Sequence, residues 1–300
     1  MTSSAPPIMR IVAAFDGSAS SRAALRVAVD EAAGRGTPLH IVTAVDMAAT
    51  MPVRFTPYLD KARQALLGAA AGAEDLLGTD RVTAAVQVGP APAIVLRACR
   101  PDDLLVVGSH GHRPVARMLL GSTSTAVAAH AHCPVLVVKG PRPRPDDPVI
   151  VGVDGSEASA AAVRLAADEA DRHGVTLRAV FAVPPVVDPM GFVSGPDDPA
   201  LQEAQAVLDE SLAGLRESHP DLTVEPLVVQ THPVEALLRH ARDARLVVVG
   251  TRGRGGLRSM LLGSVSREVL QRAQCLVAVV HPGPVAAADS EPQRSSRASV

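Results

Sequence analysis

Two glycine constellations mark where this chain could do chemistry. After an aliphatic run comes Gly108, then Gly111, then nine residues to Gly121-Ser122; Gly250, Gly253 and Gly263-Ser264 repeat the spacing. A glycine that ends a strand lets the backbone turn sharply and approach a ligand that a Cβ would obstruct. A helix opening at Gly121 and beginning Ser-Thr-Ser offers unpaired N–H groups and hydroxyls, and its dipole favours negative charge. That field alone gives roughly 0.3–1 kcal/mol per charge, so a phosphate chain needs several N–H bonds together. Asp16 and Asp154, each after the first aliphatic run of its half, add one carboxylate to each set. The plainer alternative is a tight turn in which Ser122 and Ser264 are N-caps.

Other chemistries find little support. No G-x4-GK[ST] phosphate loop is present and no GxGxxG follows a first strand, which argues against a motor ATPase or a dehydrogenase. No GxSxG elbow appears, so covalent hydrolysis has no nucleophile to rest on. One carboxylate per site is thin provision for both a general base and a divalent-metal ligand, so rapid catalysis is not expected. His110, His112, His130 and His132 cluster in sequence, but Arg252, Arg254, Arg272 and Gln274 replace them in the repeat. They read as loop and helix-end histidines rather than metal ligands, with His110 the one that could touch phosphate. Arg113, Arg117, Arg252, Arg254 and Arg258 lie in or beside the glycine loops, either as plain charged surface or as phosphate partners.

The elements that must position these residues come from a tandem duplication. AAFDGSASSRAALRVAVDEAAGRGTPLHIVTAV from Ala13 aligns without a gap, at an offset of 138, with VGVDGSEASAAAVRLAADEADRHGVTLRAVFAV. The segment from Asp103 to Val138 aligns with that from Arg245 to Val280 at an offset of 142, so the length difference falls mid-half. Strands are expected at Arg10–Ala14, Leu39–Val45, Val82–Val88, Leu104–Val107 and Val135–Val138, and helices at Ala19–Arg35, Tyr58–Leu77, Pro92–Ala98 and Ser122–Ala131. Runs such as LLVV and VLVV show no polar alternation, which means burial on both faces and parallel pairing. The expected fold is α/β: two tandem, doubly wound, five-stranded parallel-sheet domains. Ligands of such sheets bind beyond the carboxyl ends of the strands where the winding reverses. Residues 9–140 and 149–283 form the domains, 141–148 a stiff Pro-rich linker and 284–300 a disordered tail; the first eight residues are also expected to be loose.

Composition narrows the partners. The chain has 300 residues, 47% of them hydrophobic, with a formal charge of −2, five aromatic residues and no Trp. Neither nucleic acid nor a membrane surface is an expected partner. No signal peptide and no run of about 18 apolar residues is visible, so a cytoplasmic protein is expected. Cys99, Cys133 and Cys275 form no CxxC pair; Cys133 and Cys275 occupy equivalent places and read as small buried residues.

Gly-x2-Gly-x9-Gly-Ser, Asp-Gly-Ser after the first strand, and the following Cys-Pro-Val-Leu-Val-Val resemble the universal stress protein family. The resemblance spans both halves, so the chain looks like a tandem member of the Rossmann-like, adenine nucleotide alpha hydrolase-like fold. It implies ATP, with Mg, held by Asp16, Gly108, Gly111, Gly121 and Ser122, and by Asp154, Gly250, Gly253, Gly263 and Ser264. Ala44 and Ala182 would supply second-strand main chain near the adenosine. It also implies a regulatory or stress-response role, with slow ATP hydrolysis, phosphotransfer or a scaffold without nucleotide as alternatives. Fifth strands pair edge to edge in similar proteins, which here implies pairing of Val135–Val138 with Leu276–Val280, or a homodimer. One departure is Gly89 before the third helix, which becomes Thr231 in the second half.

Overall fold

Aliphatic strands alternate with helices through both halves of the computed structural model, which describes residues 7–46, 55–111, 120–185, 199–253 and 261–282. The first half runs β1 (Arg10–Ala14), α1 (Ala19–Arg35), β2 (Leu39–Val45), α2 (Phe55–Leu77), β3 (Val82–Val88), α3 (Ala91–Ala98), β4 (Asp103–Gly108), α4 (Ser122–His130) and β5 (Val135–Val138). The second runs β6 (Val149–Val153), α5 (Glu157–His173), β7 (Leu177–Ala182), α6 (Pro199–Leu212), α7 (Leu215–Ser218), β8 (Val224–Val229), α8 (Pro233–His240), β9 (Leu246–Gly250), α9 (Ser264–Arg272) and β10 (Leu276–Val280). The expected tail from residue 284 lies outside the described residues, as do residues 1–6 of the N-terminal segment.

Local signals explain the repeated first helix. Ser18 and Ser156 cap α1 and α5, accepting from Ser21 N at 3.1 Å and Ser159 N at 3.2 Å. Gly36 and Gly174 end the same helices in the left-handed region, at φ 68° and 63°, where a side chain would be strained. Strand β4 extends one residue beyond expectation at each end. Asp103 joins it because Arg10 Nη2 and Nε donate to its carboxylate at 2.6 and 3.1 Å, so a buried charge is paired where hydrophobicity gave no sign.

The strands form one sheet of ten, in the order β3-β2-β1-β4-β5-β10-β9-β6-β7-β8. Every pairing is parallel except at the centre, where β5 and β10 run antiparallel with Val137 opposite Val277 and Leu136 opposite Ala278. Two five-stranded units thus fuse, and each fifth strand's edge is covered by the other. Pro226 is tolerated in β8 because that strand lies at the sheet's outer edge. Alternate residues feed two cores. Ile11, Ala13, Leu104 and Leu136 pack under α1, α2, α5 and α6, while Val12, Leu105, Val107 and Val135 pack under α3, α4, α8 and α9.

The halves are also fastened by charge. Glu31 of α1 and Glu169 of α5, equivalent in the repeat, are both buried, and Arg35 and Arg172 each bind both carboxylates. Among the described residues no helix is long and apolar enough to cross a membrane.

Candidate functional site

The winding reverses between β1 and β4 in the first half and between β6 and β9 in the second, since those neighbours lead away in opposite directions. Beyond the carboxyl ends of β1 and β4 lies a cleft of about 470 Å³. This volume falls within the range of small-molecule pockets, about 300–1,000 Å³. Its lining brings together Asp16, Ala44, Gly108, Gly111, Gly121 and Ser122, which come from four separate segments. Phe15, Asp46, Tyr58, Pro90 and His110 line it as well. Of these only His110 was singled out in the sequence; Tyr58, the sole tyrosine, could have been noticed by its rarity.

Each glycine has a distinct physical reason. A Cβ on Gly108 would stand 2.6 Å from Ser20 Oγ and 2.8 Å from the Ser20 carbonyl carbon, in the first turn of α1. Gly250 meets the same obstruction from Ala158 of α5, at 2.8 Å from its carbonyl carbon. The space denied to a side chain here belongs to the packed helix, a reason that the glycine spacing alone did not give. Gly111 lies against Asp16, where a Cβ would be 2.9 Å from Oδ2, and Gly253 lies similarly against Asp154. Gly111 and Gly253 thus each lie against the carboxylate of their own half. Asp16 Oδ1 accepts from Ser18 N at 2.9 Å and Asp154 Oδ1 from Ser156 N at 3.0 Å, which fixes both side chains.

Gly121 and Gly263, not the serines, occupy the N-cap positions of α4 and α9, and no cap side chain bonds to either helix start. The serine N-cap alternative is therefore set aside. The loop is instead secured by main chain: Gly121 N donates to Ser109 O at 2.8 Å, and Gly263 N to Thr251 O at 2.7 Å. Ser122 and Ser264, the first helical residues, are exposed. The Ser-Thr-Ser hydroxyls do not all converge, because Ser124 Oγ turns inward to donate to Gly108 O at 2.6 Å. Ser266 Oγ does the same to Thr251 O at 3.1 Å. The first turn of α4 lines the cleft with an uncapped N-terminus, an arrangement suited to an anion.

In the second half Asp154, Ala182, Gly250, Gly253, Gly263 and Ser264 occupy the equivalent ends of β6, β7, β9 and the start of α9. Ser156 Oγ there also donates to Arg252 O at 3.2 Å, tying the helix cap to the glycine loop. Side chains differ between the halves. His110, half-buried, has Nδ1 at 2.8 Å from Ser109 Oγ and keeps Nε2 buried with no partner among the described residues. Its counterpart Arg252 is exposed, and Thr251 replaces Ser109 with its hydroxyl buried and without a partner among the described residues. Gly89 adopts φ 145°, whereas Thr231 has no positive φ, so the turn before the third helix differs.

His130 and His132 are exposed, and His130 Nδ1 lies 2.8 Å from Ala126 O. His112, Arg113, Arg117, Arg254 and Arg258 lie outside the described residues. Cys133 and Cys275 are buried, and burial pushes the Cys275 thiol up to about 11, which fits small core residues rather than reactive ones.

Comparison with known proteins agrees with the duplicated architecture. A family model described as the universal stress protein family matches residues 7–139 and again 147–281. Universal stress protein Rv2005c of Mycobacterium tuberculosis is 39% identical over 286 residues, covering 90% of this chain and 96% of that protein. A universal stress protein of Mycolicibacterium smegmatis is 36% identical over 295 residues, covering 91% of this chain and 97% of that one. In fold, the crystal structure of a universal stress protein from Archaeoglobus fulgidus superposes with a TM-score of 0.67 at 19% identity, covering 91% and 98% of the two chains.

Proposed function

The chain belongs to the universal stress protein family, and from that premise we propose that it binds ATP in two clefts as a nucleotide-responsive regulator rather than an enzyme. The observation that carries the reading is the cleft of about 470 Å³ at the switch point, lined by the uncapped start of α4 and by main chain of the glycine loop. Backbone donors at a helix start suit a phosphate chain, and the apolar strand ends around Val42, Ala44 and Val107 suit an adenosine. The ligand sites proposed are Asp16, Ala44, Gly108, Gly111, Gly121 and Ser122, with Asp154, Ala182, Gly250, Gly253, Gly263 and Ser264 in the second half. Gly108 and Gly250 act there indirectly, by bringing helix and loop together.

Magnesium bound with the triphosphate would take phosphate oxygens and water, with Asp16 and Asp154 as the carboxylates beside the two loops. Each Asp already accepts a main-chain N–H through Oδ1, which fits a positioning carboxylate better than a mobile base. Regulation would follow from unequal affinity of nucleotide for two conformations or partner states. A cytoplasmic location fits this ligand. A second copy would have to dock through another surface, since the fifth strands are already paired within the chain.

Denaturing freshly purified protein and chromatographing the supernatant tests the reading, backed by equilibrium binding of added ATP. Adenine nucleotide released near stoichiometry, or saturable ATP binding, is expected; neither being found would leave a scaffold. Turnover of labelled ATP that disappears when Asp16 and Asp154 are both changed to Asn would instead make the protein a slow hydrolase.

A further inference from the structure

A second cavity, of about 300 Å³, lies where the two halves meet and is separate from the switch-point clefts. Leucines of the four central strands line it, Leu104 and Leu136 from one half and Leu246 and Leu276 from the other. Helices α1 and α5 contribute the walls, and the linker from Lys139 to Pro143 contributes the rim. The cavity exists only because the fifth strands pair and the linker crosses beside them, so neither half contains it alone.

Its charges do not balance. Asp30, Glu31 and Glu169 line it, but Arg142 holds Asp30 at 3.0 Å, and Arg35 and Arg172 hold Glu31 and Glu169. Arg26, Lys139 and Arg245 also line it and have no acidic partner among the described ion pairs. Arg245 Nη2 reaches the Arg144 and Pro145 carbonyls at 3.2 Å each, while its Nε is buried with no hydrogen-bond partner among the described residues. Lys139 Nζ donates to Leu270 O at 2.6 Å and Gln271 O at 2.9 Å, at the end of α9 on the other face of the sheet.

We propose that this seam cavity binds a small amphiphilic monoanion, with an apolar body over the leucine floor and a carboxylate-like head beside Arg245. An acceptor at Arg245 Nε would satisfy a buried donor that otherwise carries the cost of desolvation. Burial also pushes His173, which lines the cavity 3.8 Å from the Glu169 carboxylate, down to about 4. A ligand here would touch both halves and the linker at once, and so would bias their relative arrangement.

Octanoate, octanamide and octylamine, titrated calorimetrically into the full chain, provide the test. Octanoate is expected to bind about tenfold tighter than the neutral amide, in keeping with one charge-assisted hydrogen bond, and the amine weakest. Arg245→Gln is expected to erase the preference for octanoate over octanamide. Arg26→Gln, at an exposed position with no described structural bond, is expected to reduce it while leaving the melting temperature unchanged. The double variant Gly121→Val/Gly263→Val should bind octanoate as wild type does. The proposal is overturned if octanoate fails to bind, if the three probes bind equally, if neither charge variant alters the preference, or if the double glycine variant abolishes it.

Discussion

The two halves keep their backbone contacts and change their side chains, and the difference shows which parts of the site tolerate drift. Gly108 meets Ser20 and Gly250 meets Ala158 through the same main-chain approach, although the residue met has changed. Gly121 and Gly263 hold the same cap position with the same hydrogen bond back to the loop. Around that frame, His110 becomes Arg252 and Gly89 becomes Thr231. A backbone approach is lost with any Cβ, whereas a lining side chain can change without refolding the loop. The interface between the halves drifted in another way. Glu31 and Glu169 are equivalent, but Arg35 corresponds to His173 and Arg172 to Gly34, so two arginines serve a pseudo-symmetric pair of acids asymmetrically.

Breaking that asymmetric clasp should have the largest effect. Glu169→Ala leaves two arginines, Arg35 and Arg172, sharing the single carboxylate of Glu31 in a buried setting, and a loss of about 3–5 kcal/mol is expected in denaturant unfolding. A loss below 1 kcal/mol would show that the cluster is dispensable. Next come the glycines: Gly108→Ala and Gly250→Ala should each cost roughly 1–3 kcal/mol of stability through overpacking against helix backbone. Gly121→Ala, whose added Cβ would meet nothing closer than Ser109 O at 3.3 Å, should cost much less. Equal costs at Gly108 and Gly121 would remove the distinction between a packing glycine and a cleft glycine.

A third variant sharpens the contrast between clefts. Tyr58 lines the first cleft, while α6 of the second half carries no aromatic residue. If Tyr58 covers an adenine face, Tyr58→Ala should weaken nucleotide binding in the first half by roughly 1 kcal/mol or more and leave the second unchanged. Binding measured in backgrounds with the other cleft blocked would reveal any change in the second.

The smallest expected effect concerns pH. Burial, with Glu31 nearby, pushes the Glu169 carboxyl up to about 7 against the pull of Arg35 and Arg172. The folded chain then holds a proton that the unfolded chain releases near its ordinary value of 4.5, so this group's contribution to stability falls as pH rises from about 4.5 to about 7. The stability deficit of Glu169→Gln should therefore narrow over that window. A deficit that is constant with pH would place the carboxyl in its ordinary range. His281, at the place in the repeat that Lys139 occupies in the first half, shifts the other way: burial holds it down to about 4. Its contribution is lost as pH falls from about 6.5 to about 4, and His281→Phe should flatten that acid limb of the stability profile.

Most of the architecture was legible because repetition and aliphatic runs carry it. Bounds for β1, β2, β3, β5 and α1 follow directly from periodicity and from caps such as Ser18 and Gly36. Asp103 hid the start of β4, since nothing in the sequence told that Arg10, ninety-three residues away, would neutralise it. The glycine spacing singled out residues that line the cleft at the switch point, but not the reason for Gly108, which depends on how closely α1 packs. Asp46 gave no signal as a lining residue and Tyr58 only its rarity, because no periodicity marks the end of β2 or the start of α2 as facing the cleft. The Glu31–Glu169 clasp required the two halves to be placed against each other, which single-half patterns do not specify.

Calorimetric titration of ATP into wild type, Gly121→Val, Gly263→Val and the double variant tests the central claim most directly. Two sites are expected in wild type, one in each single variant and none in the double, with circular dichroism showing all four folded. Undiminished ATP binding in the folded double variant would contradict the assignment of nucleotide to the glycine loops.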